Sequence, residues 1–170
     1  MDLNKLGRYR DKEEFITDVK ERAFKMEMNH HGCSQVVVRT YLDIFDEENS
    51  DLFLAASPFA AGMSLTGNNC GALIGALMIL GTVYGRADVK ENLEGLLRGI
   101  RPMRKLVRYF LQRQANIDCR AITGTDLADL QQATVYFDSG GLQKCAGIIS
   151  DTAGFIAEIL YDEWTKRKPK

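Results

Sequence analysis

The chain lacks an excess of either charge. Its 22 lysines and arginines stand against 23 aspartates and glutamates, for a formal net charge of −1, so no global field draws it toward nucleic acid or an anionic lipid surface. A leader pattern is missing as well: Met1-Asp2-Leu3-Asn4-Lys5-Leu6 has no basic segment followed by an apolar one, and the expected location is the cytoplasm. The longest uncharged stretch, Leu52 to Gly85, is interrupted by Ser57-Pro58 and by Thr66-Gly67-Asn68-Asn69. What remains, Cys70 to Tyr84, is shorter than the roughly 20 residues that span a bilayer and is expected to be a buried central helix. Alternating Val, Ile or Thr runs closed by Asn-Gly or Asp-Gly turns are absent, and the best strand candidate, Ala133 to Phe137, is short. No Ser-His-Asp order, phosphate loop, dinucleotide fingerprint or His-Glu-x-x-His helix is present, so the motifs name no substrate. There is no repeat and no low-complexity segment.

What is there reads as helix. With 45% hydrophobic and 26% charged residues over 170 positions, the chain has enough apolar material for one core. Phe15, Val19, Ala23, Met26 and His30 recur at steps of four and three, on one face of an opening helix that His30-His31-Gly32 breaks. A second helix follows with Val36, Val37, Thr40, Tyr41, Ile44 and Phe45 inward and Asp46-Glu47-Glu48-Asn49 as its polar exit. Leu52 to Phe59 suggests a short helix ended at Pro58, then a flexible connection over Ala60 to Gly67. In the next helix Gly71, Ala72, Gly75 and Ala76 are spaced to admit another backbone. Val89, Leu93, Leu96, Ile100, Met103, Val107 and Phe110 predict a long seam that Pro102 should bend or divide. The last helix, about residues 141–165, carries Leu142, Cys145, Ile149, Thr152, Ile156 and Ile159 along one stripe. The expected class is all-α: a compact bundle of about five helices with short connecting helical segments. It forms one domain over residues 1–170, with a short disordered basic tail from about 166.

Four cysteines stand out: Cys33, Cys70, Cys119 and Cys145. No Cys-x-x-Cys pair occurs among them, so spacing alone is a weak metal signal. In a reducing compartment they read as ligands, redox groups or plain core residues rather than structural disulfides. Cys33, Cys70 and Cys119 each follow a break that opens a helical segment, where unpaired amides and positive potential favour thiolate over thiol. Cys145, on an apolar helix face, best fits the competing reading of cysteine as a small buried hydrophobe.

Cys70-Gly71-Ala72-Leu73-Ile74-Gly75-Ala76-Leu77-Met78 resembles the CGAxxG signature of the C-GCAxxG-C-C redox-active protein family. His31-Gly32-Cys33-Ser34-Gln35-Val36-Val37 resembles that family's first cysteine motif, Asp118-Cys119-Arg120-Ala121-Ile122-Thr123-Gly124-Thr125-Asp126-Leu127 its third, and Lys144-Cys145 its last. The likeness runs from about Ala23 to Leu160. The chain departs from the pattern at Ser34, where alanine is usual, in the Ala60-Ala61-Gly62-Met63 loop, and at the alanine after Cys145. The resemblance implies a suspected iron–sulfur or other redox centre.

The leading expectation is an iron–sulfur cluster in an electron-transfer role, with Cys33, Cys70, Cys119 and Cys145 as metal ligands and Gly71 and Gly75 giving close backbone approach to the cofactor. His31 or His30 completes the set if only three cysteines ligate. The alternatives are a thiol–disulfide oxidoreductase or redox sensor with no metal, and a structural zinc module. Eight basic residues between Arg86 and Arg113 read first as a solvated helix face. Their functional reading is docking of an acidic electron-transfer protein at Arg98, Arg101, Arg104, Lys105 and Arg108. Neither nucleic acid nor membrane is expected as a partner, and a homodimer is left open.

Overall fold

The computed structural model describes residues 1–167, and among them the regular elements are all helices. After a 3-10 turn at Leu3–Arg8, helix α1 spans Lys12–His30. It starts where it does because the Asp11 side chain accepts the Glu14 amide, capping a free donor of the first turn. It stops where His31 and Gly32 take positive φ, 57° and 100°. Helix α2, Cys33–Ile44, buries Val36, Val37, Thr40, Tyr41 and Ile44 as the periodicity predicts. Asn49 caps α3, Ser50–Ala56, and a 3-10 turn at Ser57–Phe59 carries Pro58. The four residues of α4, Ala60–Met63, contain left-handed φ values at Ala61 and Gly62.

Helix α5, Gly71–Tyr84, is apolar on all sides because it lies between others: it packs on α2, on α6 (Asn92–Gln114) and on α9 (Leu142–Arg167). α1 lies along α9 and also contacts α2. These five long helices share one hydrophobic core, and the short α7 (Cys119–Thr123) and α8 (Leu130–Tyr136) connect the last two. Buried hydrogen bonds cross between helices: the Tyr41 hydroxyl donates to the Ala153 carbonyl at 2.7 Å, and the Ser150 hydroxyl to the Lys20 carbonyl at 2.9 Å. Among the described residues no single helix is long and apolar enough to cross a bilayer; α5 and the segment through Gln114 pass such a test only as a pair bent by 75°.

Three sequence expectations change. Ala133 to Phe137 is no strand: all but Phe137 belong to α8, whose start is fixed by the Asp129 carboxylate accepting the Gln131 and Gln132 amides. α6 runs through Pro102 without dividing, and its inward line is Gly95, Gly99, Leu106 and Phe110. Val89 and Leu93, taken as seam, are exposed, because the close contact with the end of α5 is made at Gly99, where an added Cβ would lie 2.7 Å from the Tyr84 carbonyl. Lys166 and Arg167, expected at the start of a disordered basic tail, instead close α9; Lys168, Pro169 and Lys170 lie outside the described residues.

Candidate functional site

All four cysteines line one cavity of about 580 Å³. Each comes from the beginning of a different helix. Cys33 is the first residue of α2, Cys70 precedes α5 as its cap, Cys119 opens α7, and Cys145 sits in the first turn of α9. Cys70 and Cys119 are brought side by side by an isolated antiparallel bridge between Asn69 and Asp118. Across it the Cys70 amide donates to the Ile117 carbonyl and the Cys119 amide to the Asn68 carbonyl, each at 2.7 Å. Cys145, which the apolar stripe suggested was a plain core residue, faces the same cavity, and its sulfur lies 3.5 Å from the Tyr136 hydroxyl.

The walls are apolar, with Ile122, Leu127, Leu142, Ile148 and Ile149 among them, and they govern the thiols. Burial pushes Cys33 up to about 12, against the Ala61 amide that pulls it down. Cys119 is pushed up to about 11 by burial and then by Cys145. Burial also raises Cys70, opposed by the amides of Ala72 and Leu73, and raises Cys145, opposed by the Tyr136 hydroxyl. The expectation that helix N-termini make these cysteines thiolates is therefore corrected. The amide donors are in place at Cys33 and Cys70, but removal from water outweighs them in the metal-free state.

Gly71 and Gly75 do not line the cavity. They let α5 close on α2: a Cβ on Gly71 would lie 2.3 Å from the Cys33 sulfur, and one on Gly75 would lie 2.5 Å from the Ser34 carbonyl oxygen. Ser34, a departure from the family pattern, is buried and its hydroxyl donates to the Ala56 carbonyl at 2.8 Å, tying the start of α2 to the end of α3. Ala60 and Ala61, of the divergent loop, form part of the wall. His31 reaches the cavity from an exposed position; His30 does not line it.

One side chain of the cavity escaped the sequence reading. Glu27 on α1 lines the cavity, is 5% exposed, and leaves Oε2 without a hydrogen-bond partner among the described residues. Burial raises its carboxyl from 4.5 to about 7. Its signal was available, since Phe15, Val19 and Ala23, at steps of four, lead to position 27, where an acidic residue stands on the core face of the helix. The series was instead continued through Met26, which is half-buried, and His30, which is exposed.

With this geometry in hand, the chain matches the model of the family described as "Putative redox-active protein (C_GCAxxG_C_C)" over residues 31–159. The chain belongs to this family. No curated protein and no solved structure matches it. The matched segment of the family contains all four cysteines and both glycines but begins after Glu27. Among the described residues no three His, Cys, Asp or Glu side chains are grouped so as to hold a metal ion.

The five basic residues expected to meet a partner, Arg98, Arg101, Arg104, Lys105 and Arg108, all line a second and larger groove, of about 1090 Å³. Arg98 is paired with Glu91, whereas no ion pair engages the other four among the described residues. Phe155 forms part of the floor, with the Lys105 ammonium 5.3 Å from its ring centre.

Proposed function

We propose that the cavity is a redox centre in which Cys33, Cys70, Cys119 and Cys145 together ligate an iron–sulfur cluster for electron transfer. The observation that carries this reading is the convergence of four thiols, from four separate helix beginnings, on one apolar-walled cavity. A single zinc ion needs its four sulfurs about 2.3 Å from one point, and among the described residues no three donor side chains are grouped to hold an ion. A cluster distributes its thiolates over several irons and so suits donors spread around a space. It also needs amide donors near the sulfurs and a shielding apolar shell, which the amides of Ala61, Ala72 and Leu73 and the isoleucine and leucine walls can supply. Gly71 fits the same picture, because any side chain there would occupy the place of the Cys33 sulfur.

When bound, the cluster would supply reversible one-electron transfer. The protein's own part is to surrender four thiol protons on loading, to hold the sulfurs at four rigid helix starts, and to keep water from the centre. An acidic carrier protein would dock at the groove formed by Arg98, Arg101, Arg104, Lys105 and Arg108. Its floor residue Phe155 lies ten positions beyond Cys145 on α9, about 15 Å at 1.5 Å per residue. Charge-reversing Arg104→Glu with Arg108→Glu is expected to weaken binding of such a carrier and flatten its salt dependence, with iron content unchanged.

The test of the centre is anaerobic purification from iron-replete cells, followed by absorbance and by iron, acid-labile sulfide and zinc analysis of wild type and Cys70→Ala. Iron and sulfide in the wild type, lost in the variant, are expected. If the wild type binds no iron under reducing conditions, the cluster reading fails and a thiol–disulfide function takes its place. That second reading is supported by the same convergence, since four free thiols lining one cavity are also candidates for an intramolecular disulfide. In such a cycle two thiols give two electrons and two protons to a disulfide-bearing partner, which leaves as a dithiol while a new S–S bond forms in this chain.

A further inference from the structure

We propose that the cysteine-lined cavity binds a small organic cation, an apolar body carrying an ammonium or amidinium head, and that the Glu27 carboxylate anchors the head. Glu27 is 5% exposed and its Oε2 has no hydrogen-bond partner among the described residues. A carboxylate buried without donors is expensive, and buried polar groups in folded proteins are nearly always paired. An orphan acceptor that faces a cavity is therefore best explained by a ligand that brings the donor.

The charge around it selects the sign of that ligand. The carboxyl groups on the wall are Glu27 and, at the exposed rim, Asp138, and among the described residues neither lysine nor arginine lines the cavity. Lys144, whose ammonium is held on the Ile122 carbonyl and acts on Cys145, lies outside the lining, so within the cavity an anion would meet two acidic groups, whereas a cation is drawn by both. The remaining wall selects the body. Ile122, Leu142, Ile148 and Ile149 offer apolar surface, and Phe137 adds a ring, a favoured partner for a cationic head. At about 580 Å³ the space falls within the roughly 300–1,000 Å³ typical of pockets for organic ligands. A bare metal ion is the poorer occupant, since no three donor side chains are grouped to hold one among the described residues. The inference rests on Glu27 and on the cavity when no cluster is bound, since a cluster held by the four cysteines would take the same space.

The test titrates the reduced, chelator-treated full chain by calorimetry with 2-phenylethylamine and with its uncharged isostere 2-phenylethanol. The amine is expected to bind about tenfold more tightly or better, and Glu27→Gln to abolish that preference while leaving the alcohol unaffected. Asp138→Asn, at an exposed position, should weaken the amine alone and keeps the inference testable if Glu27→Gln does not fold. Equal binding of amine and alcohol to the wild type, unchanged amine affinity in either variant, or no binding of the amine at millimolar concentration each overturns it. So does a parallel titration in which zinc chloride alone binds and depends on Glu27. Iron and sulfide analysis of anaerobically loaded Glu27→Gln, made separately, tells loss of the cation site from failure of the cluster reading.

Discussion

Glu27 holds its proton well above the usual carboxylate range because burial disfavours its charged form, and that has a consequence for stability. The folded protein binds this proton more tightly than the unfolded chain, so the group's contribution is fully present below pH 4.5 and is lost as pH rises through about 7. The shift from 4.5 to about 7 corresponds to something on the order of 3 kcal/mol. The groups that face Glu27 with a charge influence, Cys33 and Cys145, stay protonated over this range, since burial raises both. Urea denaturation of metal-free wild type and Glu27→Gln at pH 5 and pH 8 should show the wild type losing the larger share of its stability at the higher pH; parallel losses would reject the assignment. The thiols make a second residue-scale prediction. With Cys119 raised from 9.0 to about 11, its thiolate fraction falls about a hundredfold, because only the thiolate reacts. Iodoacetamide at pH 7.5 should therefore modify the native metal-free protein far more slowly than the guanidinium-unfolded chain, as read by mass spectrometry. Rapid labelling of Cys119 in the native state contradicts this.

At the scale of elements, α5 against α2 is the contact on which the site depends. Gly71→Ala places a methyl on the Cys33 sulfur and Gly75→Ala places one on the α2 backbone at Ser34, so both should destabilise by about 1–3 kcal/mol through overpacking. They should differ in a second measurement. Gly71→Ala is expected to lower iron content as well as the melting temperature, and Gly75→Ala the melting temperature chiefly. Gly81→Ala is the control: nothing lies within 4 Å of its added Cβ, and alanine in a helix interior gains roughly 0.5–1 kcal/mol over glycine. Unchanged melting of both Gly71→Ala and Gly75→Ala would overturn the packing argument. The same scale shows where periodicity reads well. α2 buries every inward residue that the pattern names, with Val38 and Leu42 besides; in α6 the pattern holds in the second half, where Phe110 is buried and Met103 and Val107 pack on the core, and fails in the first, where the buried residues are Gly95 and Gly99, which carry no hydrophobic signal.

For the whole molecule, the cysteines belong to α2, α5, α7 and α9, at or just before their starts, so a group held by all four would clamp helices that are remote in sequence. Binding to the folded state alone stabilises it by linkage. Iron loading should then raise the melting temperature and slow amide hydrogen exchange around Cys33, Cys70, Cys119 and Cys145 together, and a chelator should reverse both. Protection confined to one of the four segments would show that they do not share a centre.

Much of this protein was settled by local sequence. The helical class, the break at His30-His31-Gly32 and the inward face of α2 follow from side-chain periodicity and capping, which act between residues three or four apart. Cys33, Cys70 and Cys119 were legible as candidates because each opens a helical segment, and Cys145 through the family resemblance. Their meeting in one cavity was not legible locally; it depends on the Asn69–Asp118 bridge and on α5 closing against α2 at Gly71. Tertiary structure also reversed the expected acidity of the thiols. Helix position is a local property and favours the thiolate, but desolvation depends on every wall that surrounds the sulfur, and here it is the larger effect. Glu27 makes the same distinction: its place on the core stripe of α1 is written in the sequence, while the orphaned oxygen and the cavity it faces exist only once α1, α2, α7 and α9 have packed around it.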